Sequence, residues 1–178
     1  MNPKSKNIYL IGPMGAGKSS VGKYLAAQLG VTFHDTDEEI EKRTGVDIGW
    51  IFDLEGEEGF RKREETVVSD LVKKSGIVLA TGGGTVLSPL CRQLLCEHGT
   101  VVYLEVSLRH QKNRTVNESR RPMLRVKNRQ EVLEKLQLER EPLYQAMADF
   151  RVPTDQRNVK SVADDILAWL KKENPTCP

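Results

Sequence analysis

Near the N-terminus, Gly12-Pro-Met-Gly-Ala-Gly-Lys-Ser19 has the G-x-x-x-x-G-K-[ST] spacing of a phosphate-binding loop. Its glycines let backbone N–H groups close on phosphate oxygens, which places Gly15, Ala16, Gly17 and Ser20 against a nucleotide. Lys18 would reach the β- and γ-phosphates as a point charge, and the Ser19 hydroxyl would ligate Mg²⁺. Asp35 and Asp37 follow the next apolar stretch. Residues two apart in an extended chain point the same way, so both carboxylates could enter one cleft. A phosphotransferase needs a carboxylate to take the proton of an attacking hydroxyl and a second beside the metal. The competing reading makes Asp37 the N-cap of a helix that begins at Glu38.

Further along, Arg61 and Glu64 are three apart, so Glu64 can hold the guanidinium in one rotamer for bidentate capture of a substrate carboxylate. A solvated surface pair is the alternative. Thr81-Gly82-Gly83-Gly84-Thr85 opens from a third apolar strand, and three glycines in a row permit close approach of a small polyhydroxy molecule. Thr81 stands where many phosphate-loop enzymes carry a metal-side Asp, which shifts that duty to Asp35. Between Arg109 and Arg129 eight basic residues face the single acid Glu118, although the whole chain carries only +2. Nucleic acid would be one target of such a field, but the stretch has no aromatic residue for base stacking. A lid closing over a nucleotide accounts for it better, with Arg120-Arg121-Pro122 at its tip. Arg140 is either a second carboxylate binder or the partner of a neighbouring Glu.

Positioning these groups requires strands alternating with helices. Apolar strand candidates lie at 7–11, 32–34, 77–80, 101–105 and 150–152, with helical patterns in every gap. That alternation predicts βαβ crossovers, a parallel sheet covered on both faces, and ligands at the carboxyl ends of the strands. Glu55-Gly-Glu-Glu-Gly59 reads as an acidic turn between Phe52 and Phe60, which are core aromatics by default. The first helix should end near Leu29 at Gly30. A long helix over 130–148 should be kinked or interrupted by Pro142. The last should begin at Ser161, paired with Asp164 in a capping box.

At 178 residues and 38% hydrophobic content, one soluble domain over 1–178 is expected, with a core at 7–172 and a frayed tail at 173–178. The basic N-terminus leads into a strand rather than a signal peptide. Cys91, Cys96 and Cys177 show no disulfide framework or zinc spacing, and His34, His98 and His110 no metal motif. A reducing cytoplasm fits that pattern.

Taken together and in order, Gly12 to Ser19, Asp35-Thr-Asp37, Phe60-Arg61 with Glu64, Thr81 to Gly84, Arg121-Pro-Met-Leu124 and Glu139-Arg140-Glu-Pro-Leu-Tyr144 resemble the shikimate kinases over nearly the whole chain. The resemblance implies a three-layer α/β/α P-loop kinase fold like that of the nucleoside monophosphate kinases. Its five-stranded parallel sheet would have the order 2-3-1-4-5, with a substrate-binding segment near 35–65 and a mobile lid near 112–127. It implies ATP, Mg²⁺ and shikimate as ligands, a monomer, and no nucleic-acid or membrane partner. The expected activity is transfer of the γ-phosphoryl group to the 3-hydroxyl of shikimate, a step towards chorismate and the aromatic amino acids.

Residue by residue, the resemblance assigns Asp37 to the shikimate hydroxyls as general base and Arg61 and Arg140 to its carboxylate. Gly83, with Gly82 and Gly84, would contact the ring hydroxyls. Arg121 would lie on the ATP phosphates, Arg114 and Arg157 near the adenine, Ser19 on Mg²⁺ directly and Asp35 on Mg²⁺ through water. Met123 replaces a usual Leu, and Asp47 stands where many members have a small hydroxyl residue. A gluconate or nucleotide kinase of this fold is the nearest rival, and a phosphate-loop protein that does no chemistry is the rival of another class.

Overall fold

A computed structural model describes residues 7–115 and 128–173. Arg120, Arg121, Pro122, Met123, Arg125 and Lys127 lie outside the described residues, as do the tail residues from 174 onward. Strands β1 (Ile8–Ile11), β2 (Thr32–Asp35), β3 (Ile77–Ala80), β4 (Thr100–Glu105) and β5 (Phe150–Pro153) form one sheet of order β2-β3-β1-β4-β5. Every pairing is parallel, with Tyr9 beside Leu79 on one side and Val101 on the other. Parallel strands need crossovers, and helices supply them: α1 (Lys18–Leu29), α2 (Thr36–Thr44), α3 (Ile48–Leu71), α4 (Pro89–His98), α5 (Leu108–Thr115) and α6 (Arg129–Met147), while α7 (Val159–Glu173) follows the last strand.

Central β1 is buried along its whole length, the mark of a strand covered on both faces. Its side chains divide by the two-residue period. Ile8 and Leu10 join Val21 and Leu25 of α1 and Val162 and Ile166 of α7. Tyr9 and Ile11 join Ile51, Phe60 and Val68 of α3, Leu95 of α4 and Tyr144 of α6. Full burial of a side chain such as Leu10 is worth about 1.5–3 kcal/mol, so the strand that ends in the phosphate loop is among the most firmly held segments.

Local signals set several boundaries. Gly30 closes α1 in the left-handed conformation at φ 65°, as its position predicts. Asp47 accepts a hydrogen bond from Trp50 N at 2.8 Å and caps α3. Ser, Thr and Asp are near-equivalent caps, so Asp47 fills a position that a small hydroxyl residue could also fill.

Two expectations are corrected, and a third is located. The last helix starts at Val159, and its cap is Asn158, whose Oδ1 accepts from Ser161 N at 2.8 Å. Ser161 instead stands in the first turn, where its hydroxyl accepts from Arg157. The acidic stretch 55–59 does hold a change of direction: at Gly56, with φ 69° and ψ −176°, the backbone leaves the helical conformation and two helical segments within α3 meet at a kink. Helix α6 runs through Pro142 without interruption. The carbonyl that loses its partner to the proline belongs to Leu138, which is 80% exposed, so water can replace the missing N–H.

Candidate active site

Gly17 lies at the start of α1 with φ 94°, a left-handed conformation that glycine adopts without steric cost. No protein side chain caps this helix, so its first amides face the cleft. Lys18 folds back across the loop and donates to the Gly12 and Pro13 carbonyls, each at 2.8 Å. Ala16 turns its methyl into the core at 1% exposure, leaving only its backbone for a phosphate.

The Ser19 hydroxyl donates to Asp35 Oδ2 at 2.6 Å. The other oxygen, Oδ1, accepts from Asp37 N at 2.9 Å and Glu38 N at 3.4 Å. Asp35 is therefore the N-cap of α2, a part the sequence offered to Asp37. Asp37 stands in the first turn of that helix, not on an extended strand. The strand-to-helix turn, rather than strand alternation, brings both acids to the same cleft. Spacing alone could not show this, because it required knowing that the helix begins at Thr36.

Two oxygens, one hydroxyl and one carboxylate, suit a hard cation such as Mg²⁺. Among the described residues no group of three or more His, Cys, Asp or Glu could cage a metal, so a cation here would complete its shell from phosphates and water.

On the other side of the cleft, Arg61 Nη1 donates to Glu64 Oε2 at 2.7 Å and Nη2 to Glu57 at 3.1 Å. Glu64 is fully buried and also accepts from the Thr85 hydroxyl. Desolvation opposes the charge on Arg61, but the adjacent Glu64 carboxylate outweighs it, and the guanidinium is held above its ordinary range. With Glu64 buried and Arg61 half-buried, the pair is not the solvated surface pair of the alternative reading.

The glycines after β3 make room for these side chains. A Cβ on Gly84 would fall within the Arg61 guanidinium, and one on Gly82 would lie 2.7 Å from Glu64 Oε1 and 3.2 Å from Asp37 Oδ1. Two of the three glycines therefore leave space for the protein's own charged groups, while Gly83 lines the cleft. Thr36, buried between the two acids, accepts the Gly82 N–H at 2.8 Å, a contact that sequence reasoning did not identify. Arg140 is 4% exposed on α6, one turn from Tyr144, whose hydroxyl donates to the Gly83 carbonyl.

Together these elements enclose a cleft of about 270 Å³. It gathers Gly15, Gly17, Lys18, Ser19 and Ser20 with Asp35, Asp37, Thr81, Gly82, Gly83 and Arg114, while Ala16 is not part of its lining. The Thr81 hydroxyl donates to the Leu10 carbonyl at 3.1 Å and so bonds the strand ends to each other. Arg114 spans the cleft edge, donating to the Gly15 carbonyl at 3.0 Å and the Thr154 carbonyl at 2.8 Å. Arg61, Gly84, Arg140 and Arg157 are not among the residues that line the cleft; Arg157 pairs with Asp165 at 2.8 Å and binds Ser161 on α7. Arg121 lies outside the described residues.

Comparison with known proteins gives one consistent result. The family model described as shikimate kinase matches residues 14–171. Shikimate kinases of Francisella tularensis subsp. holarctica and Francisella philomiragia are each 54% identical over 96% of this chain and 97% of their own. Among solved structures, shikimate kinase from Acinetobacter baumannii in complex with shikimate is 43% identical with a TM-score of 0.93, covering 94% of both chains. The shikimate kinase of Aquifex aeolicus is 32% identical with a TM-score of 0.81, over 96% of this chain and 99% of that one. On a matching sheet order, a matching loop and these identities, the chain belongs to the shikimate kinase family.

Proposed function

We propose that this chain transfers the γ-phosphoryl group of ATP to the 3-hydroxyl of shikimate, giving shikimate 3-phosphate and ADP. The observation that carries the reading is the placement of Asp37 and Lys18 in one cleft, with the Arg61–Glu64 pair behind Gly82. A phosphate site thereby faces a proton acceptor, and a guanidinium suited to a carboxylate stands beside it. The relative from Acinetobacter baumannii, solved with shikimate, supports the same acceptor.

In this reading Gly15 to Ser20 hold the triphosphate through backbone N–H groups, and Lys18 exchanges its loop carbonyls for phosphate oxygens. Arg61 and Arg140 hold the acceptor carboxylate, the backbone at 82–84 meets its hydroxyls, and Asp37 takes the proton of the attacking oxygen. Arg114 and Arg157 border the purine. Ser19 and Asp35 would hold Mg²⁺, which when bound neutralises charge on the phosphates. The protein's share is mainly position and charge, as in-line transfer demands. The chain is taken to work as a single-domain cytoplasmic monomer; no described helix is long and apolar enough to cross a membrane.

The test is ADP release with ATP, Mg²⁺ and a panel of shikimate, gluconate and nucleoside monophosphates. Release that depends on shikimate alone is expected, and its absence would overturn the reading. Chelation with EDTA should abolish turnover, and added Mg²⁺ should restore it; activity that survives chelation removes the metal from the scheme. Gly84→Ala is expected to raise the KM for shikimate by roughly 10- to 100-fold by forcing Arg61 aside, with the KM for ATP little changed. Equal shifts in both constants would show a general loss of structure instead.

A further inference from the structure

The 83–84 peptide lies between two residues that can adopt almost any backbone conformation, so nothing in their own chemistry selects which way its carbonyl and N–H point. A trans planar peptide sends these two groups in opposite directions, and fixing one fixes the other. Tyr144 fixes the carbonyl. Its hydroxyl, 2% exposed on α6, donates to Gly83 O. Arg140 lies four residues earlier on the same helix face and is itself buried.

The ring itself is immobilised independently. Tyr144 stacks on Tyr103 of β4 with centroids 5.1 Å apart, and Met147 belongs to the same buried cluster. Burial pushes the hydroxyl well above the usual phenol range, so it remains a donor at any pH at which the enzyme is handled.

Resting on the proposed acceptor site, we infer that Tyr144 is a positioning residue. Its hydroxyl sets the 83–84 peptide plane and so aligns a backbone donor on the acceptor molecule. The nucleotide side makes no use of this oxygen, because Lys18, Ser19 and Arg114 are held by other groups. A selective defect follows.

The experiment compares Tyr144→Phe with Tyr103→Phe and with the unaltered protein by steady-state kinetics and thermal melting. Both variants keep the stacked rings. Tyr144→Phe is expected to raise the KM for shikimate about 5- to 50-fold, the scale of a lost hydrogen bond in a buried site, with the KM for ATP within about twofold. Tyr103→Phe should leave both constants near their original values. Three results would overturn the inference: an unchanged KM for shikimate in Tyr144→Phe, parallel shifts in both constants, or the same acceptor defect in Tyr103→Phe. If the unaltered protein shows no shikimate-dependent ADP release, the acceptor reading fails first and is distinguished from failure of the Tyr144 role.

Discussion

Asp37→Asn should lower kcat roughly 10² to 10⁴-fold while leaving the KM for ATP close to its original value. Asparagine matches the carboxylate in size and still fits the first turn of α2, so the change removes basicity and charge but little packing. A Cβ on Gly82 would lie 3.2 Å from Asp37 Oδ1, so the group stands close to the 82–84 loop. A loose, metaphosphate-like transition state asks for late proton removal, and a result near 10² would indicate that character. Steady-state kinetics with saturating shikimate reads the effect directly. An unchanged kcat removes Asp37 from the role of base.

Arg121→Ala is expected to cost on the order of 10³ in kcat, the scale of an arginine that meets charge developing on the transferred group. The residue lies outside the described portion, so the case rests on the sequence and on what the described cations are already doing. Arg114 is tied to the Gly15 carbonyl and to the carbonyl and hydroxyl of Thr154, and it cannot swing inward without breaking these hydrogen bonds. Arg157 is occupied with Asp165 and Ser161. In the proposed site Lys18 would cover one face of the phosphates, which leaves the basic residues after α5 to supply the other. Arg121→Lys separates charge from geometry: a point charge should recover only part of the rate if the planar fork matters. Full turnover in Arg121→Ala would end the lid argument.

Features that depend on neighbours in the chain were legible in the sequence. Spacing identified the loop from Gly12 to Ser19, the Arg61–Glu64 pair at one helical turn, and the Gly30 stop, because each is decided within a few residues. The sheet order followed from the family resemblance and is the one observed. Contacts between distant segments were not legible. The approach of Glu64 and Arg61 to Gly82 and Gly84 joins α3 to the end of β3, and the Thr36 bond to Gly82 joins α2 to that same loop. Competing local signals also misled. Asn158 and Ser161 are both good caps, and only the geometry chooses Asn158. Asp35 and Asp37 are both good caps as well, and the first one won because its second oxygen is also the partner of Ser19. Pro142 was expected to kink or interrupt α6; the helix continues through it, and the lost hydrogen bond falls at an exposed turn.

The central place of β1 bears on how this protein matures. Ile8 pairs with Val78 on one side and Thr100 on the other, so the first strand to be translated cannot complete its ladder until β3 and β4 have left the ribosome. Such long-range pairing makes for slow folding, and it leaves an apolar segment uncovered in the nascent chain. Nucleotide binding should therefore emerge late, in one step, once β4 docks, and truncations that stop before Thr100 should be captured by chaperones rather than by ATP.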